Sequence, residues 1–264
     1  MKPVTITTLR EQKQAGQKIT CLTAYDYSFA NLLDRAGLDT IMVGDSLGMT
    51  MQGHASTLPV TIDDMAYHCA CVARGVARAL IIGDMPFASY QVSPEQAFEN
   101  AAILMQTGAQ VVKLEGGAPM IETVRFLVER GIPVCAHLGL TPQSVHQLGG
   151  YRVQGREADA AQRLRDDAKQ LQAAGASLLV LEAVPAALSK LISSELAIPT
   201  IGIGAGVDTD GQVLVLQDML GLYPRPSPKF SKNFMEGAGS IEAAVKAYVE
   251  AVRNKTFPGP ENSY

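Results

Sequence analysis

The sequence predicts an α/β protein built as a closed (β/α)8 TIM barrel, and three observations carry that expectation. Short runs rich in Val, Ile and Leu recur along the chain, and a helical pattern stands between most neighbouring pairs of them. Strict β/α alternation means a parallel sheet with right-handed crossovers. The 264 residues match the ~250 of a single barrel, and no linker, low-complexity stretch or composition shift marks a second domain. An open doubly wound sheet is the structural alternative.

The expected strands are 19–25, 40–44, 79–84, 110–115, 133–139, 177–182, 199–204 and 212–217. Several are apolar without alternation, as parallel strands covered by helices on their outer side require. Ser93-Pro94-Glu95-Gln96 supplies an N-cap, a proline at the first helical position and an acidic first turn. That helix runs through Ala97, Phe98, Ala101 and Leu104 until Gly108 stops it. Helices over 120–130 and 160–174 end at Gly131 and Gly175, residues suited to the left-handed position after a helix. Gly37 and Gly108 repeat the pattern. The whole chain, 1–264, reads as one barrel domain with a short N-terminal helix. The stretch 223–228 is a Pro-rich loop, 240–253 a last helix, and 257–264 a loose tail.

Composition narrows the function classes. With 47% hydrophobic and 18% charged residues the chain is that of an ordinary globular protein. A net charge of -4 and a pI near 5.6 argue against a nucleic-acid surface. The polar start argues against a signal peptide, and no apolar stretch is long enough for a membrane span, so a cytoplasmic location is expected. Cys21, Cys69, Cys71 and Cys135 follow no disulfide or zinc spacing and read as small buried hydrophobes. His54, His68 and His146 have surface or packing roles as the default.

Chemistry-bearing residues gather at the C-terminal ends of the expected strands, where barrel active sites are built. Asp45 and Ser46 follow the second strand, Asp84 ends the third, and Lys113 and Glu115 end the fourth. His137 lies late in the fifth and Glu182 ends the sixth. Lys113 and Glu115 share one strand face, either as a pocket pair or as a simple strand-end ion pair. Asp45, Asp84 and Glu115 offer three hard oxygen ligands from adjacent strands, which suits Mg²⁺. Taken singly, Asp45-Ser46 could instead cap a helix, and Asp84 could form a turn. Glu182 emerges from Leu178-Leu179-Val180-Leu181, where partial desolvation favours a general base; organising the next loop is the bland alternative. His137 is either a hydrogen-bond donor to substrate or Glu182, or a structural histidine. Ile201-Gly202-Ile203-Gly204-Ala205-Gly206 has G-x-G-x-G spacing, so it is expected to end the seventh strand and admit a ligand close to the backbone rather than to bind a dinucleotide.

Several ordered segments resemble the ketopantoate hydroxymethyltransferase family. They are Val43-Gly44-Asp45-Ser46-Leu47-Gly48-Met49, Gly83-Asp84-Met85-Pro86-Phe87, Val112-Lys113-Leu114-Glu115-Gly116-Gly117, His137-Leu138-Gly139-Leu140-Thr141-Pro142-Gln143-Ser144 and Leu181-Glu182-Ala183-Val184-Pro185. The resemblance runs from about residue 20 to residue 234 and implies a barrel of the phosphoenolpyruvate/pyruvate superfamily. It implies transfer of a hydroxymethyl group from 5,10-methylenetetrahydrofolate to 3-methyl-2-oxobutanoate, giving 2-dehydropantoate for pantothenate and coenzyme A synthesis. By the same resemblance Asp45, Asp84 and Glu115 hold Mg²⁺ directly or through water. Asp45, Ser46, Asp84 and Lys113 contact the oxo acid, Glu182 accepts its C3 proton, and the chain assembles as a homodecamer of two stacked pentameric rings. Two other readings stay open on the residues alone. One is a Mg²⁺-dependent 2-oxo acid aldolase or lyase without folate, and the other a non-catalytic ligand-binding barrel.

Overall fold

The period-2 geometry of eight short apolar strands, each buried on both faces, closes this chain into a barrel in the computed structural model, which describes residues 2–222 and 227–264. The strands are β1 (Ile19–Thr23), β2 (Thr40–Val43), β3 (Leu80–Asp84), β4 (Val111–Glu115), β5 (Val134–Gly139), β6 (Leu178–Glu182), β7 (Thr200–Ile203) and β8 (Gly211–Leu214). All pair in parallel in sequence order, and β8 returns to β1. The helices are α1 (Ile6–Gln14), α2 (Tyr27–Arg35), α3 (Leu47–Thr50), α4 (Ile62–Gly75), α5 (Pro94–Gln106), α6 (Ile121–Glu129), α7 (Ala158–Ala173), α8 (Ala186–Glu195), α9 (Leu216–Met219) and α10 (Ile241–Arg253).

Local signals account for the helix ends. The Ser93 hydroxyl accepts from the Gln96 N–H and Pro94 opens α5. Gly108, Gly131 and Gly175 all take positive φ after α5, α6 and α7, as expected of helix-ending glycines. The eighth strand is shorter than the expected 212–217. It ends at Leu214, because the Leu216 N–H leaves the ladder to donate to Thr23 Oγ1 (3.0 Å) and α9 begins there.

Strand alternation sorts the core into two apolar sets. Leu22, Ile41, Ile81, Leu114, Ala136 and Leu179 face the helix layer. Ile19, Cys21, Met42, Leu80, Ile82, Val111, Cys135, Leu178 and Val180 fill the barrel interior. Cys21, Cys69 and Cys135 are buried and all four cysteines are free, matching their reading as small hydrophobes except that Cys71 is only half-buried. The 257–264 stretch is not loose: Phe257 packs on Phe234 and Tyr248, and Asn262 donates to the carbonyls of Lys229 and Ser231. Apolar and hydrogen-bonding residues near its two ends tie it down, which composition alone does not reveal. The expected Pro-rich loop falls largely on 223–226, outside the described residues. Among the described residues no helix is long and apolar enough to cross a membrane.

Candidate active site

Following each interior row of side chains toward the C-terminal end of its strand leads from hydrocarbon to charge. Leu80 and Ile82 precede Asp84, Val111 precedes Lys113 and Glu115, Cys135 precedes His137, and Leu178 and Val180 precede Glu182. The barrel register then sets Asp84 beside Lys113, Glu115 beside His137, and Glu182 beside Gly139. A cavity of about 540 Å³ opens there, and all seven residues singled out from the sequence line it.

The contacts form one chain of alternating charge. Lys113 Nζ lies 3.0 Å from Asp84 Oδ2 and 4.0 Å from Glu115 Oε1. His137 Nδ1 is 3.3 Å from Glu115 Oε1 and 3.5 Å from Lys113 Nζ. On its other side, His137 Nε2 stands 3.3 Å from Glu182 Oε2, without the alignment of a hydrogen bond. Burial and Lys113 work to lower the His137 pKa, but Glu115 and Glu182 outweigh them and hold it up at about 9, so the imidazole is charged at neutral pH. Burial would raise Glu115, yet His137, Lys113 and the Gln143 N–H bring it below the ordinary carboxylate value. Lys113 is raised despite its burial, by Asp84, Glu115 and Asp45. Asp84 is raised, chiefly by burial. Asp45 is pushed up to about 7 by burial and by the negative charges of Glu115 and Asp84.

Backbone geometry places the acids. A Cβ on Gly44 would come within 2.8 Å of Ser46 Oγ and 3.4 Å of Asp84 Oδ2, so glycine lets the ends of β2 and β3 converge. Ser46 does not cap α3; its hydroxyl instead pairs with the buried Tyr25 hydroxyl at 2.8 Å. Ala183, directly after Glu182, holds φ +46, a strained conformation for a residue with a Cβ. Its N–H donates to the Ile203 carbonyl (2.9 Å) and its carbonyl accepts from the Gln154 N–H (2.9 Å), which fixes the turn that aims Glu182 inward. The 201–206 stretch ends β7 as expected, and Gly204 takes φ +64. Space beside it is filled by Phe230 and Tyr264, each 3.0 Å from where a Cβ would stand.

Two participants escaped the sequence reading. Gln143, in the loop after β5, donates through Nε2 to Asp45 Oδ2 and the Met85 carbonyl (both 2.9 Å) and through its backbone N–H to Glu115 Oε2 (3.0 Å). Its Oε1 accepts from the Tyr90 hydroxyl at 2.6 Å. It lies inside the quoted 137–144 motif, but nothing local tells that a loop glutamine will stand between acids from β2 and β4. Tyr264 lines the cavity from the segment read as loose, with Lys229 Nζ 5.0 Å from its ring.

Among the described residues, no group of three or more His, Cys, Asp or Glu side chains is gathered to hold a metal ion. Of the three expected acids, Glu115 accepts from the Gln143 N–H on Oε2 and has its Oε1 3.3 Å from His137 Nδ1. What remains fits Mg²⁺, which takes one or two carboxylates and keeps several waters. Asp84 Oδ1 is buried with no hydrogen-bond partner among the described residues, and burial and the charges of Glu115 and Asp84 disfavour the ionised form of Asp45 beside it.

The model of the family described as ketopantoate hydroxymethyltransferase matches residues 3–260 of this chain. The chain is 65% identical over 257 residues to 3-methyl-2-oxobutanoate hydroxymethyltransferase of Methylobacillus flagellatus, covering 97% of this chain and 98% of that protein. The protein of that name from Thiobacillus denitrificans is 63% identical over 262 residues, 99% of this chain and 100% of that protein. Among solved structures, phosphoenolpyruvate phosphomutase from Streptomyces platensis subsp. rosaceus aligns with TM-score 0.61 at 13% identity, over 82% of each chain. A 2,3-dimethylmalate lyase of the PEP mutase/isocitrate lyase superfamily aligns with TM-score 0.58 at 15% identity, over 84% of this chain and 81% of that one, a likeness of fold. With the match running through all eight strands and every charged residue of the cavity inside it, this chain belongs to the ketopantoate hydroxymethyltransferase family.

Proposed function

We propose that this enzyme transfers a hydroxymethyl group from 5,10-methylenetetrahydrofolate to 3-methyl-2-oxobutanoate, with water, giving 2-dehydropantoate and tetrahydrofolate in the cytoplasm. The observation that carries the reading is the division of the cavity. Lys113 and the Asp45/Asp84 pair occupy one side, and a separate carboxylate, Glu182, stands across His137 from them. A reaction that removes a proton next to a ketone needs that division: positive charge where the oxygens gather electrons, and a base at the carbon.

Asp45 and Asp84 are the residues that would hold Mg²⁺, with Glu115 acting through water. Bound there, the cation would withdraw electrons from the oxo acid. Lys113 brings a fixed positive charge to the same oxygens, and Ser46, oriented by Tyr25, donates to the carboxylate. Glu182, whose side chain is 13% exposed, reaches the cavity and takes the C3 proton. The charged His137 lies between Glu115 and Glu182, 3.3 Å from each, and attracts both carboxylates. The carbon that loses the proton attacks the folate-borne methylene. A homo-oligomer, with a decamer the expected form, is the assembly that family membership leads us to propose, and sedimentation as a monomer would refute it.

The test isolates proton removal. Wild-type enzyme with Mg²⁺ should exchange the C3 hydrogen of 3-methyl-2-oxobutanoate with D₂O without folate, read by proton NMR. Glu182→Gln should lose exchange and turnover together, by ~10² or more, while still binding the oxo acid. Exchange at the wild-type rate would make Glu182 a structural residue and sink its role as base.

A further inference from the structure

One carboxylate of the cavity takes no part in that chemistry. Asp218 lies in α9, just after β8, and lines the same cavity as Glu182 and Asp45. It is 6% exposed, and its Oδ1 has no hydrogen-bond partner among the described residues. Burial pushes its carboxyl to about 6, so it is mainly ionised at neutral pH. Buried polar atoms are almost always paired, and an orphaned carboxylate at a cavity wall points to a partner on a bound molecule.

The surroundings describe that molecule. The cavity that Asp218 lines has apolar side chains too, among them Val213 of β8 and Val215, which immediately precedes α9. Thr23 of β1 ties α9 to the mouth by accepting the Leu216 N–H. The cations Lys113 and His137 belong to β4 and β5, across the barrel from β8. A 2-oxo acid carries only oxygen acceptors on its charged end, so Asp218 repels it and Lys113 attracts it. The cavity of about 540 Å³ falls in the ~300–1,000 Å³ range that takes a drug-sized ligand, far more than a small branched oxo acid fills. A second ligand suited to this side of the cavity offers N–H donors to the carboxylate and an apolar body to the valines. The pterin ring of a folate has both, since its 2-amino group and N3–H lie side by side and match the two oxygens of a carboxylate.

We propose that Asp218 recognises the pterin ring of the one-carbon donor, its carboxylate accepting from the 2-amino and N3–H groups while Val213 and Val215 pack against the ring. This rests on the functional reading above. It assigns the two substrates to opposite sides of one cavity, sorted by whether they offer donors or acceptors.

Calorimetry on the full chain with Mg²⁺ tests it, with three probes: tetrahydrofolate, its 2-desamino-2-methyl analogue and 3-methyl-2-oxobutanoate. Asp218→Asn should weaken tetrahydrofolate binding by about 10- to 100-fold, the loss of charge-assisted hydrogen bonds, and leave oxo-acid affinity unchanged. The analogue should bind the wild type as weakly as it binds the variant. Undiminished tetrahydrofolate affinity in Asp218→Asn would overturn the assignment, and so would loss of affinity for both ligands together, which marks a structural residue. A wild-type chain that binds the oxo acid but not tetrahydrofolate would instead overturn the folate reading itself.

Discussion

The two ends of the barrel interior are built from the same strands and obey opposite rules. At the N-terminal end Ile19, Cys21, Leu80, Ile82, Val111 and Leu178 pack hydrocarbon on hydrocarbon. At the C-terminal end the same rows carry Asp84, Lys113, Glu115, His137 and Glu182, all but Glu182 buried. Burying apolar area stabilises the fold, at roughly 25 cal/mol per Å². Burying charge stabilises little, because desolvation offsets the attraction, and it becomes costly once a partner is removed. The molecule thus spends at one end of a row the stability it gains at the other, in return for a preorganised charged cavity.

The sharpest way to break that contrast is to unbalance the charged end. Lys113→Met leaves Asp84 and Glu115 buried without their cation, and should cost about 3–5 kcal/mol in urea unfolding as well as turnover. A fully active, equally stable variant would mean that the acids do not depend on Lys113.

Asp218 tests the same trade in the opposite direction. Its carboxyl sits at about 6 against an ordinary 3.8, so the fold favours the protonated form. Its contribution therefore worsens as pH rises from the ordinary value to about 6, and stays unfavourable above that. Asp218→Asn should be more stable than wild type by about 1–3 kcal/mol at pH 7, and the gain should vanish below about pH 4. Urea titrations at the two pH values measure it. A gain independent of pH would show that ionisation of Asp218 is not its source.

The smallest effect belongs to the apolar end. Ile82→Val removes one methylene from the interior and should cost about 0.5–1.5 kcal/mol, with turnover unchanged. A large loss of turnover at unchanged stability would show that packing at the N-terminal end also tunes the site.

Much of this division can be read along single strands. The side-chain period of two puts Lys113 and Glu115 on one face with Leu114 on the other, and a strand that changes from leucine to glutamate announces where its polar end lies. Helix boundaries at Ser93, Gly108, Gly131 and Gly175 follow the same logic, since caps and left-handed glycines act within a few residues. These are local rules, so the residues alone state them.

Partnership across the barrel is another matter. That Asp84 stands beside Lys113 and His137 between Glu115 and Glu182 depends on register, which closure of the eight strands sets and no segment encodes by itself. That Gln143 bridges Asp45 and Glu115, that Tyr264 returns to the cavity, and that Asp218 Oδ1 has no partner among the described residues depend on where loops far apart in sequence come to rest. Residue type along a strand is a matter of periodicity, and the chain carries it openly. The company a buried charge keeps is a matter of three-dimensional distance and lost water, which exist only once the barrel has closed.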